Sequence, residues 1–203
     1  METPPPLVRA TREGDVDAVA ELTAEALAAK YRPAFGDHAA RGIAAVLRCD
    51  LDGVEGTRHW VAEIDGRVAG AVHLVLSEDA GLDYLKAIAD ELGWARSLRA
   101  TAVLSMLGHG RLTPDEAYID ELAVAAWARR RGVAKALLAR CELEARATGR
   151  KRLTLWVTED NDAARPLYDR AGFLPTRRRR WIAGRWLFGS PGAVFMAREL
   201  PPR

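Results

Sequence analysis

The chain has 203 residues, enough to bury a substantial core as one globular domain without disulfides or metals to hold it. Hydrophobic residues make up 49% and charged residues 29%, which excludes a disordered or fibrous protein. Thirty Lys and Arg against 28 Asp and Glu leave a formal net charge of +2, which excludes bulk attraction to nucleic acid or anionic lipid and makes any basic function local.

Met1 to Pro6 carries three consecutive prolines and reads as a loose terminus. Leu7 to Ala10 is short enough for an opening edge strand. Asp15 is a candidate N-cap for a helix whose Val16, Val19, Ala20, Thr23 and Leu27 share one face. Tyr31 to Phe35, with Pro33 inside it, is expected to break that helix, and His38 to Leu51 resumes a helical pattern. His59 to Ile64 and Arg67 to Leu76 are strand-like runs joined by Asp65-Gly66, the strongest hairpin signal in the sequence. His73, in the second run, reads as a packed or edge histidine rather than a base. No His, Cys or carboxylate cluster has metal-ligand spacing, so no metal is expected. Cys49 and Cys141 lie in separate apolar helical patterns, as free thiols in a reducing compartment do. The N-terminus lacks a basic region followed by an apolar run, and no apolar stretch approaches membrane-spanning length. The expectation is a cytoplasmic protein without a membrane partner.

Between the third and fourth strands, residues 77–116 form a helical insertion. Leu82, Leu85, Ile88, Ala89 and Leu92 make one helical stripe. After Gly93, the segment carrying Ala100, Ala102, Val103, Leu104, Met106 and Leu107 is apolar nearly all round and is expected to be buried. It can complete the core, cover an acceptor pocket or form a homodimer surface, and the terminal hairpin is a second candidate for that surface.

Ala117 to Val124 is a short apolar and β-branched run, Arg129 to Leu138 reads RRRGVAKALL, and Ala134, Leu137, Leu138, Cys141 and Ala145 recur at helical spacing. This is strand, basic turn and helix, with Gly149 as a suitable C′ residue. The first amides of such a helix have no intrahelical partners, and Gly132 and Ala134 carry so little side chain that a bulky anion can approach them. The turn is a candidate phosphate cradle. Leu153 to Thr158 is the next strand, and Asn161 or Asp162 caps a short helix holding Ala164, Leu167, Tyr168 and Ala171, with Pro166 tolerable only near its first turn. Trp181 to Phe188, a Gly189-Ser-Pro-Gly192 turn and Ala193 to Leu200 read as a terminal hairpin. Arg177 to Arg180 precedes it, either a solvated face or a clamp on an acidic substrate or nucleic acid; no nucleic-acid recognition motif accompanies the run.

Leu122-Ala123-Val124, Arg129-x-x-Gly132-x-Ala134, Asn161, Leu167-Tyr168 and Gly172-Phe173 together resemble the GNAT superfamily of N-acetyltransferases, most closely from Ala117 to Phe173. One departure is Ala125-Ala126, where many relatives place a proline. The resemblance implies an α/β fold with a mixed, mostly antiparallel central sheet flanked by helices and opening between its two central strands. It also implies acetyl-CoA as co-substrate. The pyrophosphate would lie on Arg129, Arg130, Arg131, Gly132, Val133, Ala134 and Lys135, and the pantetheine arm on the main chain of Leu122, Ala123 and Val124, with Asn161 a further cofactor contact. Tyr168 matches the tyrosine that protonates the departing thiolate in many relatives, and Tyr31 and Phe35 fall in the region that borders their acceptor site.

A protonated acceptor amine also needs a base. Asp120 and Glu121 are adjacent on the strand and are expected to point to opposite sides, so that one of them faces the acceptor. The activity implied is transfer of acetyl to a primary amine, of a small molecule or a peptide, by direct attack. The alternative is a non-catalytic acyl-CoA-binding sensor with the same fold.

Overall fold

A computed structural model describes residues 5–77, 81–108, 110–181 and 184–201. Of the expected loose terminus, residues 1–4 lie outside this set. A seven-stranded sheet in the order β1-β2-β3-β4-β5-β7-β6 organises the chain. β1 (Leu7–Ala10), β2 (Thr57–Ile64), β3 (Arg67–Val75) and β4 (Glu116–Val124) pair antiparallel in sequence. β5 (Arg152–Thr158) pairs parallel with β4, and β7 (Gly192–Glu199) and β6 (Leu174–Arg180) finish the sheet antiparallel. The parallel pair requires a crossover, which α6 (Val133–Ala147) supplies. The turn between β2 and β3 is at Asp65 and Gly66, both at positive φ (52° and 73°), the conformation that makes Asp-Gly a hairpin signal.

The sheet has a core on each face. On one, Leu137, Leu138, Cys141 and Ala145 of α6 meet Leu74, Ile119, Leu153 and Leu155, so the helical stripe read from sequence is the buried one. On the other, α1 (Val16–Ala26), α2 (Ala28–Phe35), α3 (Ala39–Leu51) and the helical segment α4 (Gly81–Leu92) and α5 (Trp94–Ser105) enclose Val61 and Ala71. α7 (Arg165–Arg170) follows β5, with Pro166 in its first turn. Gly149, at φ 74°, follows the end of α6.

Several expectations need correction. Asp15 does not cap α1: its carboxylate accepts two hydrogen bonds from Arg9 (2.6 and 2.8 Å) and one from the Arg12 amide (2.8 Å), bracing β1. The helix break lies at Leu27 (φ −114°, ψ 33°), and α2 runs through Pro33 to Phe35. A helix that starts at Ala28 loses only the Pro33 bond to Ala29, which the packing of Tyr31, Ala34 and Phe35 outweighs. α5 is not buried all round. Its buried residues are Ser97, which donates to Leu85 O at 2.6 Å, and Ala100, whose smallness lets α4 approach; Leu98 and Trp94 are 58% and 60% exposed. The first strand of the terminal hairpin is Leu174–Arg180 rather than Trp181 to Phe188. Of the latter, residues 182 and 183 lie outside the described set and Gly184–Phe188 is a short helix, α8. β-bridging of the arginine run to β7 settles that register: Arg177 stacks on Phe195 (4.2 Å) and Arg179 on Trp156 (4.7 Å), so alternate arginines cover one face.

Candidate active site

β4 and β5 pair only from Glu116↔Arg152 to Ile119↔Leu155. Beyond that they part, while β4 stays paired to β3 through Val72↔Leu122, Ala71↔Ala123 and Gly70↔Val124. The main chain of Leu122, Ala123 and Val124 therefore offers an edge without a strand partner on the β5 side, the kind of edge an amide-bearing ligand can extend.

The edge leads into the basic turn. Residues Ala126–Ala128 form a short 3-10 turn, Arg130 sits at φ 63° and Gly132 at φ 81°, and the first i→i−4 bond of α6 is Ala136 N–H to Gly132 O (3.0 Å). The amides just before Ala136 are thus those a helix start leaves over. A Cβ on Gly132 would meet nothing within 4 Å, so the space over the turn is open to a large anion, and glycine is needed there for its backbone angle rather than for room inside the fold. Gly70 does the opposite: a Cβ there would fall 2.6 Å from Val133 Cγ1 and 2.8 Å from Ala123 O, so this glycine lets the start of α6 seat against β3 and β4. Trp127 lies between the guanidinium groups of Arg67 (4.6 Å) and Arg131 (6.0 Å).

Asn161 caps the start of the next turn, its Oδ1 accepting from Ala164 N–H (3.0 Å), while its own amide donates to Thr158 O (3.2 Å) and closes β5. Tyr168 is 8% exposed and meets Phe173 edge to face at 5.8 Å. Burial, and then the nearby Cys141, hold its phenol protonated well above its ordinary range, and burial pushes the Cys141 thiol up to about 12. Tyr168 is therefore a neutral phenol packed in the first core, and it lines neither of the cavities described below.

The acidic centre corrects the expectation that Asp120 and Glu121 face opposite ways. The β3–β4 register passes from His73↔Glu121 to Leu74↔Ile119, so Asp120 is an extra residue in β4. A β-bulge rotates the strand at that point, and both carboxylates reach one ammonium, Lys30 Nζ, at 3.0 Å (Asp120) and 3.4 Å (Glu121). Burial works against both charges, but the attraction between them prevails: Asp120 is held far below the usual carboxylate range and Lys30 above the usual amine range. Lys30 Nζ also lies 5.1 Å from the centre of the Tyr31 ring.

Behind this pair, His73 is packed on an interior strand, not at an edge, with Nδ1 3.7 Å from Asp120 and Nε2 4.0 Å from Asp50. Its Nε2 is buried without a hydrogen-bond partner. His59, its cross-strand partner, stacks on it (4.2 Å, 14°) and bonds Asp50 at 2.8 Å, and Tyr84 OH donates to the same carboxylate at 2.5 Å. Burial and then the adjacent His73 depress His59 to about 4 in spite of Asp50.

Asp50, His59 and His73, and likewise His73, Asp120 and Glu121, bring candidate metal-ligating atoms within 4.8 Å of one another, a closeness that spacing along the chain does not reveal. Within them, Asp50 Oδ2 is 2.8 Å from His59 Nε2 and 4.0 Å from His73 Nε2, while Lys30 already occupies Asp120 and Glu121.

Two cavities meet here. One of about 580 Å³ is lined by Lys30, His73, Asp120, Glu121, Tyr31 and Phe35 together with α3, α4 and α5. The other, about 110 Å³, is lined by Tyr118 and Asp120 of β4 and Trp156, Val157 and Thr158 of β5, so it lies where those strands part. Lys30, Asp120 and Leu107 border both. Arg179 also borders the small one and donates to Gly108 O (2.9 Å), which ties the arginine strand to the end of α5.

Sequence reading missed Lys30, Asp50, His59 and Tyr84. One signal was present: Asp50 stands seven residues after Ile43 and three after Leu47, on the apolar stripe of α3, and an acid on a buried face needs partners.

Residues 24–173 match the model of the acetyltransferase (GNAT) family. Among solved structures, the chain resembles an N-acetyltransferase from Staphylococcus aureus Mu50 (16% identity, TM-score 0.65) over 98% of its own length and 100% of the other. It resembles Ard1 from Thermoplasma volcanium (18%, TM-score 0.63) over 97% and 99%. It resembles the ribosomal-protein-S18-alanine N-acetyltransferase of Escherichia coli (17%, TM-score 0.59) over 98% and 96%. At these identities the likeness is one of fold. No curated protein sequence matches the chain significantly. No helix among the described residues is long and apolar enough to cross a membrane. The family uses acetyl-CoA as co-substrate, and the open space above Gly132 and the unpartnered edge of β4 suit its diphosphate and its amide-bearing arm. With most of its length matched by the family model and its sheet parting beside that turn, the chain belongs to the GNAT family of acetyltransferases.

Proposed function

We propose that the chain acetylates a primary amine, the amine nitrogen attacking the acetyl-CoA thioester directly. In this reading the amides of the turn at 129–135 bind the diphosphate, and its arginines add charge and guanidinium donors. The main chain of Leu122, Ala123 and Val124 pairs with the pantetheine arm and supports the oxyanion, with Asn161 alongside. Bound there, acetyl-CoA supplies the activated acyl carbon.

Glu121 takes the proton from the acceptor ammonium. Asp120 is a poor base because Lys30 holds it anionic; it fixes Lys30 in place. As the C–N bond forms and the C–S bond breaks, the nitrogen passes its second proton to solvent water, and Tyr168 gives one to the departing thiolate and recovers it from solvent. Burial holds the Tyr168 phenol above its ordinary range, so passing its proton to a thiolate of ordinary basicity is uphill and this help is modest.

The observation that carries the reading is the place where β4 and β5 part, which has the open main-chain edge on one side and the Lys30–Asp120–Glu121 cluster on the other. The test is free-thiol release from acetyl-CoA with a broad set of amines. Release that depends on the amine supports it. Binding of acetyl-CoA, read as a raised Tm, with no release for any amine overturns it in favour of an acyl-CoA sensor.

A further inference from the structure

We infer that the acceptor is a lipophilic primary amine, a single ammonium on an alkyl or arylalkyl body, rather than a peptide N-terminus, an amino acid or a polyamine. This rests on the acetyl-transfer reading above.

The argument starts from the larger cavity. Its volume of about 580 Å³ is that of a pocket for a drug-sized molecule. Ile43, Leu47, Ile88, Leu104, Tyr31 and Phe35 wall it from four helices, with the sheet beneath, so an acceptor body entering this chamber meets apolar side chains from several directions. Its charges sit at one end. Asp120 and Glu121 line it and Asp50 lies just behind His59 and Tyr84, against a single lysine, Lys30, and no arginine lines it among the described residues. Lys30 is already engaged by both carboxylates, so the carboxylate of an amino acid would enter a negative field with no cation free to meet it. Among the described residues the lining holds no carboxylate besides Asp120 and Glu121, so a polyamine's remaining ammonium groups would find hydroxyls and apolar walls but no counter-charge.

Lys30 also shows how such a site treats a primary ammonium: two carboxylates within 3.4 Å and an aromatic ring at 5.1 Å. An acceptor ammonium on the free side of Glu121, with its body among Ile43, Leu47, Ile88 and Phe35, would repeat that arrangement with a hydrophobic tail in place of a backbone.

The test is thiol release by the full chain with straight-chain amines from propylamine to octylamine, phenethylamine and tryptamine, against lysine, spermidine and a peptide beginning with alanine. The expected result is kcat/KM rising about fourfold per added methylene, with phenethylamine exceeding the peptide about a hundredfold. Thr101→Trp and Ser105→Trp place bulk in the chamber from exposed positions of α5. They should lower the octylamine-to-propylamine ratio about tenfold, while a Tm rise with acetyl-CoA reports that the variants are folded. A flat alkyl series, or a peptide, amino acid or spermidine used better than any lipophilic amine, overturns the acceptor class and leaves the transferase reading standing. Acetyl-CoA binding with no thiol release from any acceptor overturns the transferase reading itself, and this inference with it.

Discussion

Lowering the pH from 7 to 5 probes the buried histidine pair. His59 donates to Asp50, which Tyr84 also holds, and stacks on His73, and burial followed by the adjacent His73 brings its pKa to about 4 from an ordinary 6.5. Between those values the unfolded chain binds a proton that the folded chain refuses. Stability from a neutral His59 is therefore complete above about pH 6.5 and is lost as the pH falls towards 4. At 1.36 kcal/mol per pH unit the loss is about 3 kcal/mol over the whole window and about 2 kcal/mol by pH 5. The assay is urea unfolding of the natural chain and His59→Gln at pH 7 and pH 5. The glutamine amide can keep the donation to Asp50 but does not titrate, and the carboxylates outside this cluster titrate alike in both proteins and cancel. The natural chain should lose about 2 kcal/mol more than the variant. An equal loss in both would refute the reasoning, because it would mean that His59 accepts its proton in the folded state as readily as in the unfolded one.

Gly132→Glu should weaken acetyl-CoA binding more than about a hundredfold by calorimetry, through bulk and like charge at the diphosphate position. Gly132→Ala, with no clash inside the fold, should cost about 1–2 kcal/mol of stability for its positive φ, measured by urea unfolding. Lys30→Met leaves Asp120 and Glu121 facing each other without a cation, so Asp120 is released from its low value and its charge opposes that of Glu121, the proposed base. The acidic limb of kcat/KM against pH should move upward, and an unmoved limb would mean that the pair does not take part. Tyr168→Phe should lower kcat up to about a hundredfold and spare acetyl-CoA affinity; equal loss of turnover and binding would make the tyrosine a packing residue.

What could be read from the sequence was what local pattern carries. The Asp65-Gly66 hairpin, the α6 stripe under the sheet and the turn at 129–135 each depend on neighbours in the chain, and each appears in the fold. The acidic centre depends on pairings across the chain. Whether Asp120 and Glu121 share a side is decided by one unpaired residue in the β3–β4 register, and alternation along a strand, applied without that bulge, gives the opposite answer. Lys30 meets its carboxylates from ninety residues away, and His59 and His73 become a pair only when their strands fold together. Amphipathy also overstated the burial of α5, because Ser97 and Ala100 supply its contact face and leave larger residues outside.

The short seam between β4 and β5 has a mechanical side. Four residue pairs of β4 and β5 join one leaf of the sheet, β1 to β4, to the other, β5 to β6, while α6 packs beneath both and Arg179 reaches Gly108. Under the proposed function, acetyl-CoA laid along the free edge of β4 would lengthen that seam beside the small cavity that Asp120 and Lys30 border.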